Sequence, residues 1–434
     1  MRQFYYSRDK VLTQDAITQM LMQFGTECLP KFKKRKKYYD GKQAITTKPV
    51  TDEKPSNIVV TNYIENIVSN FEGYALGIPV KYESDSPDFG KLQDVLNYND
   101  KADADAELFR LGLIYGRSAE IAYVDRYGKT RFKALSPEGI IPVYSDDLEE
   151  ELLYCIRFWS IIVGDETKYK VEVYDANNIT YYDSTSMFSS ITFVDQQPHY
   201  FSQVPVTIFS LNTEEKSIGE NVFSLQDAYN SLLSDGLDDS EAFADAYLVL
   251  SGITAGAEEL ASMKQNRVLM IDNDASASYL VKDSSQAITE SLMKTVEEKI
   301  RTLSACPDFT DESFGTSSGI AIRYKMLQME NVTSAILNNF KKALQKRIEL
   351  LSEVEKLKSG ENVWRDIKII FTRNLPVDIS DTLDLINTTR GLVSDETLLG
   401  QLEFIDSPAE ELAKAKNEND SKLSVMRFGN EITE

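Results

Sequence analysis

A run of about forty residues after Pro307 constrains this chain more than any other stretch. From Ile320 the apolar positions recur at Tyr324, Leu327, Val332, Ile336, Phe340, Leu344, Ile348, Leu351 and Val354. Those steps are mostly threes and fours, so the residues share one helical face. No proline interrupts the run. Ser317 or Ser318 can cap its start, and Gly360 stands just past its end. Such a helix would be roughly 60 Å long, well beyond the usual globular length. A short polar segment, Asp308-Phe-Thr-Asp-Glu-Ser-Phe-Gly-Thr-Ser-Ser318, feeds it.

Two more helical stretches precede it. In Ile218–Gly252, Val222, Leu225, Tyr229, Leu232, Leu233, Phe243, Ala246 and Leu250 form an apolar face. This stretch has no Lys or Arg but carries Glu220, Asp227, Asp235, Asp238, Asp239, Glu241 and Asp245. Gly236 is a place for a kink or interruption. From Ala287, Ile288, Leu292, Val296, Ile300 and Leu303 predict a helix that stops at Pro307. Between the two lies a small unit, Gly252–Gln286. Its predicted strands, Arg267-Val-Leu-Met-Ile271 and Ser278-Tyr-Leu-Val281, flank a turn at Asp272-Asn-Asp274. An insert of about 35 residues cannot bury a core of its own. It therefore needs sister copies or a partner, which predicts a part repeated around an axis.

The N-terminal half is expected to be α+β. Residues 11–30 predict a helix ended by Pro30. A dense basic run follows, with Lys33, Lys34, Arg35, Lys36 and Lys37 at its centre. That run reads either as a contact for DNA or an acidic surface, or as a solvated helix end. Asn57–Val80 and Ala102–Tyr115 predict helices. From Ala119 to Leu211 the period changes to two, with a hairpin turn at Arg126-Tyr-Gly128. Strands follow at 140–143, 152–159, 169–174, 179–182, 191–194 and 206–211, giving an antiparallel sheet. Trp364–Pro376 predicts a strand returning to that sheet. The C-terminal stretch is helical, at 379–392, 394–402 and 407–416, with a polar tail.

The 434 residues carry a formal net charge of −22, which argues against electrostatic clamping of nucleic acid. It leaves open a surface past which nucleic acid slides without sticking. Gly128-Lys129-Thr130 echoes the end of a phosphate loop, but Tyr123 stands where the first glycine belongs. Asp103-Ala-Asp105-Ala-Glu107 resembles part of a calcium loop, with Leu108 at the place of the turn glycine. The acids of Asp235–Asp245 could hold a divalent ion, or form a solvated or lumen-facing face. The single histidine, His199, has no nucleophile motif nearby and reads as a surface or edge residue. Cys28, Cys155 and Cys306 lack paired spacing and read as buried thiols. No catalytic constellation, metal site or cofactor is indicated. With no membrane-length apolar run and no signal-peptide core at Met1–Arg8, the chain reads as soluble and intracellular.

The order of parts resembles one family, the portal proteins (head-to-tail connectors) of tailed bacteriophages with long non-contractile tails. The resemblance is carried by Tyr38-Tyr-Asp-Gly-Lys42, Asn57–Val80 with its Gly-Tyr-Ala-Leu-Gly-Ile-Pro-Val ending, and Ala134-Leu-Ser-Pro-Glu-Gly-Ile-Ile-Pro-Val143. It continues in Phe314-Gly-Thr-Ser-Ser-Gly-Ile-Ala-Ile-Arg-Tyr-Lys325 and Arg390-Gly-Leu-Val-Ser-Asp-Glu-Thr-Leu-Leu399. It implies a ring, typically of about twelve subunits, at one capsid vertex of the virion, assembled in the bacterial cytoplasm.

The implied divisions are a wing (1–217), a first stem helix (218–252), a clip (253–286) and a second stem helix (287–307). A tunnel loop (308–323), the long helix with a returning wing strand (324–378) and a crown with tail (379–434) complete them. Double-stranded DNA would pass along the axis. Ser313, Thr316, Ser317, Ser318, Gly319, Ile320 and Arg323 would face it, and Asp235, Asp238, Asp239, Glu241 and Asp245 would form an acidic stem wall. Ser317–Ile320 would mark the narrowest point, or else simply cap the helix. Arg267, Val268, Met270, Asp272, Asp274 and Tyr279 would meet the terminase large subunit and later the head-completion adaptors. Major capsid and scaffolding proteins would be further partners, with no membrane and no enzymatic step. The alternatives are a terminase-like DNA-processing enzyme and a scaffold with no link to DNA.

Overall fold

The computed structural model describes residues 3–49, 56–186, 188–244, 248–251, 256, 276–279, 285–309, 319–354, 363–374, 386–400, 402 and 411–417. The chain divides into two units, one built from Met1–Phe309 and Met326–Asn374, the other from Thr310–Lys325 and Leu375–Glu434. The class is mixed helix and sheet, as the change of period indicated.

In the first unit, strand β1 (Phe4–Tyr6) leads into helix α1 (Gln14–Glu27). The Thr13 hydroxyl accepts from the Ala16 N–H and caps that helix, and Ile17, Met20, Leu21 and Phe24 fill its buried face. The next helix, α2 (Leu29–Tyr39), follows at once. Pro30 opens α2 where sequence reasoning had it only end α1. A proline in the first turn removes an N–H that has no helical partner there, so it suits a start as well as a stop.

Helix α3 (Tyr63–Leu76) is capped by the Asn62 side chain and ends at Gly77. A Cβ on Gly77 would lie 2.3 Å from the Gly73 carbonyl oxygen. Strand β2 (Lys81–Glu83) and helices α4 (Phe89–Tyr98) and α5 (Lys101–Tyr115) come next. Gly116 turns the chain from α5 into the sheet at φ +82.

The strands of residues 117–210 form two sheets where one was expected. Strands β3 (Arg117–Val124) and β4 (Thr130–Leu135) make the predicted hairpin, with Gly128 at φ +71 in its turn. Five more strands follow: β5 (Ile140–Ser145), β6 (Leu152–Val163), β7 (Glu166–Tyr174), β8 (Asn178–Ser184) and β9 (Ile191–Pro198). They form an antiparallel meander, and β1 pairs parallel with β5. Strand β10 (Val206–Ser210) turns back to β3 to give a separate three-stranded sheet. Between the sheets Ala119, Ile121, Ile140, Cys155, Tyr174, Val204 and Val206 form one core cluster.

Helix α6 (Phe223–Ala244), strands β11 (Leu248–Ser251) and β12 (Ser276–Tyr279), and helix α7 (Ser285–Ser304) follow. The 36-residue helix α8 (Gly319–Val354) realises the long run, starting one residue before Ile320. Its Phe340 meets Phe109, Phe209 and Phe371 with ring centroids 5.0–6.1 Å apart.

The returning strand β13 (Lys368–Ile370) pairs antiparallel with β2 and stays out of the large sheet, contrary to expectation. A three-residue strand has too few rungs for its sequence to specify a distant partner. In the second unit, helix α9 (Asp395–Leu399) is capped by Ser394, whose hydroxyl accepts from the Thr397 N–H, and it buries Leu398.

Candidate functional site

Helix α6 carries Asp227, Asp235, Asp238, Asp239 and Glu241, and the segment Asn57–Tyr63 lies antiparallel along it. Four side chains spaced by four residues each accept a backbone N–H from every second residue of that segment. Gln226 Oε1 accepts from Tyr63 at 3.0 Å and Asn230 Oδ1 from Thr61 at 3.0 Å. The Ser234 hydroxyl accepts from Val59 at 3.0 Å, and Asp238 Oδ1 from Asn57 at 2.6 Å. Four helical residues advance about 6 Å and two extended residues about 6.6 Å, so the two periods run nearly in step. The longer reach of Gln226 at one end takes up some of the drift. Gln226 Nε2 also donates to the Thr61 carbonyl at 2.5 Å, and Asn230 Nδ2 donates to Gln43 Oε1. Gln226, Asn230 and Ser234 are completely buried.

This ladder changes the reading of the acidic face. Asp238 is turned towards its own chain, with a side chain only 17% exposed, where Lys48 bridges it to Asp235 at 3.1 Å on each side. The Asn57 N–H and the Lys48 ammonium hold the Asp238 carboxyl below the usual carboxylate range. Glu241 accepts from the Asn57 side chain at 2.9 Å. Asp235, Asp239 and Glu241 remain exposed. Asp245 lies outside the described residues.

Helix α7 packs beside α6, and Tyr63 meets Tyr229 edge to face at 5.3 Å. Gly236 does not interrupt α6, and a Cβ added there would meet the Thr289 methyl at 3.9 Å. The apolar row predicted on α7 is buried only at Ile300, while Ile288, Leu292 and Leu303 are exposed. Strand β11 takes up Leu248–Ser251, so Leu250 belongs to a strand where a helix was expected. It pairs with β12, and Leu248 faces Tyr279 in register. Arg267, Val268, Met270, Asp272 and Asp274, with the predicted strand 267–271, lie outside the described residues.

At the start of α8, Gly319 and Ile320 are helical and Arg323 is exposed. Ser313, Thr316, Ser317 and Ser318 lie outside the described residues. Further along, within the first unit, two polar clusters fix the Met326–Val354 part of α8. Glu330 receives the Arg373 guanidinium at 2.8 and 3.0 Å, the Tyr74 hydroxyl at 2.6 Å and the Ser334 hydroxyl at 2.7 Å. Burial alone would raise the Glu330 carboxyl, but these donors hold it down at about 2.

One heptad after Phe340, Arg347 is almost completely buried. It reaches both Glu120 oxygens at 2.7 Å and also Asp105, which accepts from the Tyr82 hydroxyl at 3.0 Å. Burial pushes the Glu120 carboxyl up, and Arg347 pulls it back. Asp105 is thus a partner of Arg347 and not a calcium ligand. Arg347 went unnoticed in the sequence, although it shares the apolar face with Leu344 and Leu351.

The basic run is not uniformly a surface. Arg35 is buried and donates to the carbonyls of Tyr115 and Glu215 at 2.5 and 2.8 Å, and to Glu220 at 2.7 Å. Lys36 pairs with Asp40 one turn away. Lys33, Lys34 and Lys37 are exposed and line a groove of about 440 Å³ with Lys42.

His199, expected at the surface, is buried with its ring against the Asp175 carbonyl at 2.8 Å, and burial lowers its pKa. All three cysteines are buried and free. No group of His, Cys, Asp and Glu among the described residues could hold a metal ion. No described helix is long and apolar enough to cross a membrane.

A family model described as phage portal protein, SPP1 Gp6-like, matches residues 24–423. The portal protein of Bacillus phage SPP1 is 22% identical over 409 residues, which cover 89% of this chain and 80% of that protein. The portal protein of Clostridium phage phiCD119 is 22% identical over 412 residues, covering 86% of this chain and 89% of its own length. The chain therefore belongs to the SPP1 Gp6-like family of phage portal proteins.

Proposed function

We propose that this portal protein assembles as a ring, of about twelve copies, that forms the channel for double-stranded DNA at one capsid vertex. The observation that carries this reading is the family match over nearly the whole chain, including both helices, the ribbon between them and the long helix. In the ring α6 and α7 act as the stem, and the β11–β12 ribbon belongs to the clip that receives the terminase large subunit during packaging. Head-completion proteins take the same place afterwards, with capsid and scaffolding proteins around the wing. The protein is a conduit and docking platform of the virion, assembled in the host cytoplasm. The force comes from elsewhere, and no catalytic step is assigned to this chain.

The chemistry of α6 supports this reading. The polar ladder fixes one face of the helix to its own wing, while Asp235, Asp239 and Glu241 stay solvated. Repeated around an axis, these carboxylates repel phosphate and spare the DNA the friction that bound lysines would cause. Residues 308–323 serve as the tunnel loop, with Ser317, Ser318, Gly319 and Ile320 at its narrowest point.

Electron microscopy of the purified full-length protein tests the reading. A ring with a central hole of about 20 Å, the width of duplex DNA, is expected. Compact single chains or dimers would overturn it.

A further inference from the structure

The lysine groove and an acidic loop elsewhere in the chain have matching chemistry. The groove runs between α2 and residues 42–47, with Lys33, Lys34, Lys37 and Lys42 at its rim and Pro30 and Ala44 among its lining. Its volume falls within the range of ligand-holding pockets. Among the described residues no carboxylate pairs with any of the four lysines. The Lys34 ammonium instead lies over the rings of Tyr38 and Phe223, 5.7 and 5.9 Å from their centroids. A cation-rimmed, partly apolar groove calls for an anionic segment with an apolar tip.

The loop joining β5 to β6 has that composition: Asp146-Asp-Leu-Glu-Glu-Glu151. Leu148, at its centre, is fully exposed. Arg8 holds the loop in shape, reaching Asp147 at 2.7 Å, Glu149 at 2.6 Å and Glu151 at 3.0 Å. The Tyr5 hydroxyl donates to Glu150 at 2.9 Å. One arginine against five carboxylates leaves the loop strongly anionic. A fully exposed leucine held out by an ordered loop is ready to be buried without further loss of backbone freedom.

We propose that loop 146–151 of one copy docks in the lysine groove of the next, with Leu148 against Pro30 and Ala44 and the flanking carboxylates on the lysines. The two surfaces differ, so the contact is head-to-tail and can close into a ring. Charge matching is needed, because copies each carrying a net charge of −22 otherwise repel one another. This inference rests on the ring reading above.

The test is cross-linking in the full-length protein. The native cysteines are buried, which leaves introduced ones to react. The double variant Ala44→Cys with Leu148→Cys, on oxidation, should give a ladder of covalent oligomers. An equimolar mixture of the two single variants should stop at dimers. Lys33→Glu, Lys34→Glu and Lys37→Glu together should raise the concentration for half-assembly by about tenfold or more. Adding Asp146→Lys and Glu149→Lys should recover much of that loss.

Rings of the double-cysteine variant that give no cross-link on oxidation, with the triple lysine variant assembling normally, would overturn the contact and leave the ring standing. A wild-type protein that never leaves the single-chain state would overturn both. A triple variant that assembles normally but loses retention of duplex DNA would assign the groove to nucleic acid and refute the docking.

Discussion

Replacing Asn230 with alanine should unlatch α6 from the segment it carries. The Asn230 amide accepts from the Thr61 N–H at 3.0 Å and from Gln226 Nε2 at 3.1 Å, and donates to Gln43. Gln226 Nε2 keeps the Thr61 carbonyl as partner, so its loss is small. The Thr61 N–H and the Gln43 side-chain oxygen each lose a partner in a buried site. A buried polar group left unsatisfied costs about 1–3 kcal/mol, so the substitution should cost about 2–4 kcal/mol with partial relief from water. Amide hydrogen exchange of the full-length protein reads this locally. At about 1.4 kcal/mol per tenfold, Thr61 should exchange about 30- to 700-fold faster, with smaller effects at Val59 and Tyr63. Asp239→Asn, at an exposed position on the same helix, should leave all three unchanged. Unchanged protection at Thr61 in the Asn230→Ala protein would refute the ladder as the attachment of α6.

Three further outcomes are expected. Arg347→Met removes the cation between Glu120 and Asp105 and should cost about 3–5 kcal/mol in urea unfolding. Much of that should return in a triple variant with Glu120→Gln and Asp105→Asn. Without the cation, Glu120 shifts further up, so its contribution is present at low pH and lost as pH rises through its folded-state value, and the Arg347→Met deficit should shrink on acidification. Glu330 shifts the other way, being held at about 2 against an ordinary value near 4.3, so its contribution is present above about pH 4 and lost as pH falls towards 2. At this partly exposed site Glu330→Gln should cost about 1–2 kcal/mol at neutral pH and only a small part of that at pH 2. Gly116→Ala puts a Cβ 2.2 Å from the Glu215 carbonyl oxygen at φ +82 and should cost at least about 2 kcal/mol in the same unfolding assay.

Periodicity carried the elements whose partners lie close in sequence. The hairpin of β3 and β4 and the long amphipathic α8 follow from local patterns, and the structure has them at nearly the expected bounds. What the sequence hid was non-local. Gln226, Asn230, Ser234 and Asp238 look like an ordinary wet face, because nothing in a single sequence says that residues 57–63 will lie there. Their spacing of four was the available signal. Arg347 gave a similar clue by interrupting the row from Phe340 to Leu351, but Asp105 and Glu120, which answer it, are more than two hundred residues away. Leu250 satisfied both a helical and a strand pattern, so α6 was drawn too long. The family was legible through the order of whole segments, although the relatives are only 22% identical and no short motif is diagnostic.

Native mass spectrometry of the assembled full-length protein tests the central claim most directly. The account predicts one closed species at a fixed integral multiple, about twelve, of the 49.1 kDa chain, unchanged over a wide range of protein concentration. A single folded chain at every concentration and salt, or an open series without a preferred multiple, would contradict it.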